Sequence, residues 1–273
     1  MSHELVIEAG RAERQYWKDL WRYRELFLIL TWRDVAVQYK QTVVGVLWAV
    51  FRPLLTMAAF TFVFAKVAKL PSEGNTPYPL MVFVAMLPWQ LFSTAIAATA
   101  NSLVANSNLV SKVYFPRIIV PTATIGVAVV DFAISFVLLC TMMLWYQYLP
   151  PIQFFAVVPL TFLAALVSLG PGLILCALNV TYRDFRIIVP FITQFGLYLS
   201  PVGFSSGIVP EKWRLLYECN PMVGVIDGFR WAVLGSIEFP QRALCISIVC
   251  ALIFLFFGIK IFRKTERTFA DVI

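Results

Sequence analysis

One carboxylate lies deep inside a long apolar stretch of this chain: Asp131, in the run from Ile118 to Tyr146. An ionisable group at that depth is expensive and reads first as functional. Three chemistries fit it: a proton relay, a pair with a buried arginine, or a polar contact that packs helices or lines a path. No second acid shares its run, which favours packing or path-lining over a relay. Arg52, followed by Pro53, interrupts another apolar run. A lipid-facing charge there would cost at least about 2.5 kcal/mol, so Arg52 is expected to stay near water at an inner mouth.

Other chemistry is missing. No G-x-x-x-x-G-K-[ST] loop exists to cradle phosphates, and no G-x-S-x-G element or metal-ligand cluster occurs. The single histidine, His3, stands in the N-terminal tail. Of the five cysteines, four fall inside apolar runs, and none makes a C-x-x-C spacing, which argues against a disulfide framework or zinc site. Membrane enzymes can work with a few carboxylates, but no paired acids can be assembled here. The chain reads as a non-enzyme that holds no cofactor of its own.

The elements carrying these residues are set by composition. Apolar residues make up 60% of the chain, charged residues only 14%, and mean hydropathy is +0.80. A soluble domain of this size would be about one quarter charged, so lipid is the solvent. The expected fold is an all-α integral membrane body of six spans, at about 44–68, 80–100, 118–146, 154–178, 187–207 and 243–262. Residues 1–43 form a cytoplasmic N-terminal segment, 208–240 a re-entrant segment, and 263–273 a cytoplasmic tail. With the N-terminus inside, only Lys66, Lys69, Lys212, Arg214, Arg230 and Arg242 fall outside, against the other sixteen of 22 basic residues. That bias puts both termini in the cytoplasm. No signal peptide precedes the first run.

Tyr16, Leu20, Tyr23, Phe27 and Leu30 recur at spacings of four and three, opposite Arg14, Lys18, Arg22 and Glu25. This is a basic amphipathic helix, suited to the cytoplasmic interface or to docking a cytoplasmic partner. The fifth run is broken by Pro190, Pro201 and two glycines; irregular backbone at depth needs protein or a wet cavity to satisfy it. Between the fifth and sixth runs, Asn220 and Pro221 read as the N-cap and first position of a helix whose apolar face is Met222, Val225, Ile226, Phe229 and Val233. Two half-helices flanking Asn220 would make a re-entrant hairpin; a pair lying on the surface is the alternative. The segment from Asn108 to Pro116 carries Lys112, and its Tyr114-Phe115-Pro116 end is too apolar for a plain positive-inside turn. Abundant aromatics (24 Phe, 10 Tyr, 8 Trp) could stack on sugar faces, although interfacial belts use the same residues.

Four stretches carry a resemblance. They are RDVAVQYKQTVVGVLWAVFRPLL (from Arg33 to Leu55), NSNLVSKVYFPRIIVP (from Asn106), ALNVTYRDFRIIVP, and NPMVGVIDGFRWAVLG (from Asn220). Together, in this order, they resemble the permease subunits of polysaccharide exporters in the type-2 ABC exporter superfamily, closest to the O-antigen and teichoic-acid branch. The resemblance implies a homodimer paired with two copies of a separate ABC ATPase that binds ATP and Mg2+, and a lipid-linked polysaccharide as cargo. It implies contact with the ATPase through the N-terminal helix (Tyr16, Leu20, Tyr23) and the loop bearing Lys112, Tyr114, Phe115 and Pro116. It further implies an inner mouth at Arg52, Tyr182, Arg183 and Asp184, a path past Asp131, and an outer gate at Asn220, Pro221 and Arg230. An Arg183–Asp184 pair could hold the mouth together, or the turn could simply mark a loop. Teichoic acid, capsule, lipid or drug are alternative cargoes. An ion-driven secondary transporter would show internal repeats, and a membrane-embedded transferase paired acids; neither pattern is found.

Overall fold

The computed structural model describes residues 12–40, 43–74, 76–113, 115–182, 184–266 and 269; side chains are described from residue 16 onward, and within 43–49 only that of Trp48. Its α-helices are α1 (Ala12–Arg22), α2 (Arg24–Tyr39), α3 (Val43–Phe60), α4 (Tyr78–Ala105), α5 (Ser107–Lys112), α6 (Ile119–Trp145), α7 (Val157–Thr181), α8 (Phe185–Leu199), α9 (Glu211–Glu218), α10 (Pro221–Leu234) and α11 (Gln241–Glu266). Among the described residues there is no strand. Among the described residues, five segments are long and apolar enough to cross a bilayer: Val50–Val67, Tyr78–Ala105, Ile119–Trp145, Ile152–Thr181 and Gln241–Glu266.

The fifth expected span is shorter than its apolar run. Helix α8 stops at Leu199, and 15 residues reach only about 22 Å against a hydrocarbon core of about 30 Å. Ser200 and Pro201 end it, and the chain continues to Ser205 as non-helical backbone. Helix α3 is extended by a π-helical turn, Thr61–Val67, whose Phe64 packs on this break: a Cβ on Gly203 would come within 2.4 Å of Phe64.

Helices α4, α7, α10 and α11 form the core, with α6 against α4. Every residue from Leu80 to Trp89 in α4 is buried, as expected for a helix that is apolar all round. Helix α10 is buried on nearly every face, so its expected single apolar stripe understates it. Helices α7 and α11 touch through glycine: a Cβ on Gly258 would lie 2.5 Å from the Gly170 carbonyl oxygen. Small residues of this kind let membrane helices approach backbone to backbone. Helices α3 and α8 lie at one flank and leave Phe51, Leu55, Phe191, Phe195 and Tyr198 exposed.

The N-terminal region differs from the single surface helix read from the sequence. It bends at Tyr23, and α2 runs along α6 rather than lying across its end. Thr31 donates to the Ala123 carbonyl, while Gln38 and Tyr39 reach Asp131, so the two helices advance together by about 12 Å.

Candidate functional site

Asp131 faces a cavity of about 380 Å3 between α2, α3, α4 and α6. The Tyr39 hydroxyl donates to its Oδ1, and the Gln38 amide donates to the same oxygen at 3.1 Å. Burial first, then the carboxylate, holds the Tyr39 phenol well above its ordinary value, so the phenol keeps the proton it donates. Of the three roles open to Asp131, a polar contact is the one found; no arginine pairs with it among the described residues. Arg52 and Ser135 line the same cavity, with the indoles of Trp48 and Trp89. Hydrogen-bonding side chains interleaved with indole faces suit a hydroxyl-rich ligand with C–H faces.

At the end of the bundle bearing α1, α5 and the C-terminus of α11, one cluster joins the pieces. Phe115 is 5% exposed and packs with Leu30, Phe262 and Phe269; Tyr16, Leu20 and Tyr23 lean half-buried on the same cluster. These expected contact residues therefore face their own bundle. Pro116 is buried too, while Lys112 is exposed at the end of the short helix α5. The outward face of α1 and α2 carries Trp17, Trp21, Leu28 and Trp32. Arg33 joins α2 to the α4–α5 junction by donating to Asn106 Oδ1 at 2.7 Å. Arg117 donates from its backbone to Glu266 Oε1 at 2.8 Å and from Nη1 to the Glu266 carbonyl at 2.6 Å. Tyr182 is 59% exposed and Asp184 is exposed beside it. Arg183 and Tyr114 lie outside the described residues, as do His3 and the chain end at Ile273.

At the opposite end, Asn220 caps α10 as its sequence predicts: its Oδ1 accepts from the Met222 amide at 3.0 Å, and Pro221 takes the first helical position. Its Nδ2 donates to Ser200 Oγ at 3.0 Å, in the break after α8. Arg230, counted from sequence among the outer basic residues, is 0% exposed. It donates to Glu73 Oε1 at 3.1 Å and to the Phe204 carbonyl at 3.0 Å, with the Val202 carbonyl at 3.4 Å. Tyr78 donates to the Gly203 carbonyl. Side chains of α4 and α10 thus satisfy the backbone that α8 abandons, which is the condition for irregular chain at depth. Glu73 and Tyr39 went unseen in the sequence, because each lies outside the apolar runs and 157 and 92 residues from its partner. No local spacing connects positions so far apart.

Apolar helices of spanning length around a polar, indole-lined cavity are a build that membrane transport subunits use. Residues 25–234 match the model of the ABC-2 type transporter family, and the chain belongs to that family. It is 28% identical over 267 residues to the O-antigen export system permease protein RfbA of Myxococcus xanthus, covering 94% of this chain and 98% of the relative. It is 24% identical to the protein of the same name from Klebsiella pneumoniae (91% and 95% covered). It is 21% identical to the polysialic acid transport protein KpsM of Escherichia coli (86% and 91%). Its relatives are transport subunits rather than enzymes.

Proposed function

We propose that this chain is the membrane-spanning permease subunit of an ATP-driven exporter that moves a lipid-linked polysaccharide, an O-antigen or similar surface glycan, across the inner membrane. The observation that carries this reading is the likeness to export permeases over more than nine-tenths of both chains. The Asp131 cavity, with its hydroxyl-binding side chains and indoles, supports a glycan path. Two copies pair through α3 and α8, whose apolar flank is left exposed among the described residues. An ABC ATPase, also in two copies, supplies ATP and Mg2+ chemistry from the cytoplasmic side.

Both termini face the cytoplasm, in keeping with the distribution of basic residues. Helix α8 and the non-helical segment after it make the sixth crossing. The α9–α10 pair is re-entrant: the Pro221 carbonyl accepts from Ser247, two turns inside α11, which puts the hairpin vertex about 9 Å below the start of that helix. Asn220, Pro221 and Arg230 thereby brace an outer gate. Helix α1, with Trp17 and Trp21 outward, lies in the interface. Lys112 and Tyr114 meet the ATPase, while Phe115, Pro116, Tyr16, Leu20 and Tyr23 anchor that contact from within. Arg52, Tyr182, Arg183 and Asp184 line the inner mouth.

Reconstitution with the cognate ATPase tests the reading. ATP should drive lipid-linked glycan to the far leaflet, and the chain alone should hydrolyse no ATP. Robust hydrolysis by this chain alone, or glycan movement driven by an ion gradient without the ATPase, would overturn it. Lys112→Glu should leave insertion intact and cut ATPase-coupled export at least tenfold; unchanged export would remove Lys112 from the contact.

A further inference from the structure

A second cavity, of about 870 Å3, opens between α1, the α5–α6 turn and the last turns of α11. It shares no lining residue with the Asp131 cavity. Lys260 and Lys264, one helical turn apart, are exposed on its wall, and neither has an ion-pair partner among the described residues. Arg117 and Arg263 also line it. Arg117 is engaged with Glu266, and the Arg263 guanidinium sits 4.6 Å from the Tyr16 ring centroid. Among the described lining residues, four cations stand with two acids, Asp19 and Glu266.

Depth identifies the occupant. From Gln241 to Ile259, α11 climbs about 28 Å, the thickness of the hydrocarbon core, so Lys260 and Lys264 stand at headgroup level. Phe256, 63% exposed, lines the cavity and continues into a lipid-facing strip with Leu252 and Ile253. Trp17, on the other wall, is the residue type that seeks this boundary. A phosphate held by the lysines would therefore have acyl chains laid along Phe256 and Leu252. We infer that this cavity is a binding site for an anionic phospholipid of the leaflet at the α1 end, seated between α1 and α11.

The inference rests on the reading that α11 spans the membrane, but not on the cargo or on export. Its test is retention of phosphatidylglycerol by the purified chain, drawn from nanodiscs of phosphatidylcholine with about one-fifth phosphatidylglycerol and read by native mass spectrometry. A chain that did not span would fail to enter the nanodiscs at all, so the two failures are distinct. Wild type should retain phosphatidylglycerol over phosphatidylcholine. The double variant Lys260→Gln/Lys264→Gln should lose that preference by about fivefold per lysine. Lys260→Arg/Lys264→Arg should keep it, as should Lys212→Gln, placed at the opposite end. Equal retention by wild type and the double glutamine variant would overturn the site. So would displacement by inorganic phosphate, which would mark a free-anion site, or a stronger preference for a polyprenyl phosphate, which would make it a cargo site. Loss of the bound lipid when the ATPase docks would assign the cavity to that partner instead.

Discussion

At the scale of single residues, the costliest group is Arg230. Its guanidinium is wholly buried against Glu73 and two carbonyls, so removing it strands a carboxylate and exposes unpaired backbone. Arg230→Met should lower stability by about 3–5 kcal/mol, measured as thermal unfolding in detergent. Adding Glu73→Leu should recover part of that loss, because the stranded charge goes with it. Asp227, one turn before Arg230 on α10, carries the opposite lesson. Burial raises its carboxyl to about 6, so the folded chain binds that proton more tightly than the unfolded chain does. The stabilisation is full below about pH 4 and is lost as pH rises to about 6. Asp227→Asn should therefore raise the unfolding midpoint at pH 7.5, and the gain should vanish near pH 4. Tyr39→Phe removes the donor and Asp131→Leu the acceptor of the same contact, and each should slow export several-fold without lowering the midpoint comparably. Asp131 was legible because an acid in an apolar run stands out. Tyr39 and Glu73 were not, since their roles arise only when distant segments meet.

At the scale of elements, hydrophobic length gave four of the expected spans nearly unchanged, because about 20 apolar residues can hardly do anything but cross. The first kept its expected bounds too, running as one helix through Val43–Phe60 and Thr61–Val67, with Arg52 facing the cavity. The fifth exposed the limit of that logic. Apolarity does not record where a helix stops, and Ser200-Pro201 ended α8 while the buried chain ran on under the care of Arg230 and Tyr78. The N-terminal segment was legible only in part, for a related reason. Its periodic face was real, but the periodicity could not say that the partner surface was α6 rather than lipid. The α7–α11 contact is held by size alone: Gly258→Val should wedge the helices apart, costing about 3 kcal/mol or more, and should show as loss of the folded monomer peak in detergent gel filtration.

At the scale of the whole molecule, the flank formed by α3 and α8 is one oily face, and the exposed side of α11 is another. A two-fold pair would place each α8 beside its mate. Phe195→Cys, in a background without the native cysteines, should cross-link to a covalent dimer, whereas Phe256→Cys on α11 should not. The reverse pattern would relocate the seam. Nothing in one chain's hydropathy separates a face meant for lipid from a face meant for a copy of itself. The path from Asn106 through Arg33 and α2 to Tyr39 has a mechanical meaning. In the proposed export cycle it would serve as a connecting rod: a push received beside α5 would be carried about 9 Å along α2, from Arg33 to Tyr39, by one stiff helix, with no slack loop between stroke and load. Shortening α2 by one residue would turn Tyr39 by about 100° away from Asp131, leaving the rod intact and disconnected.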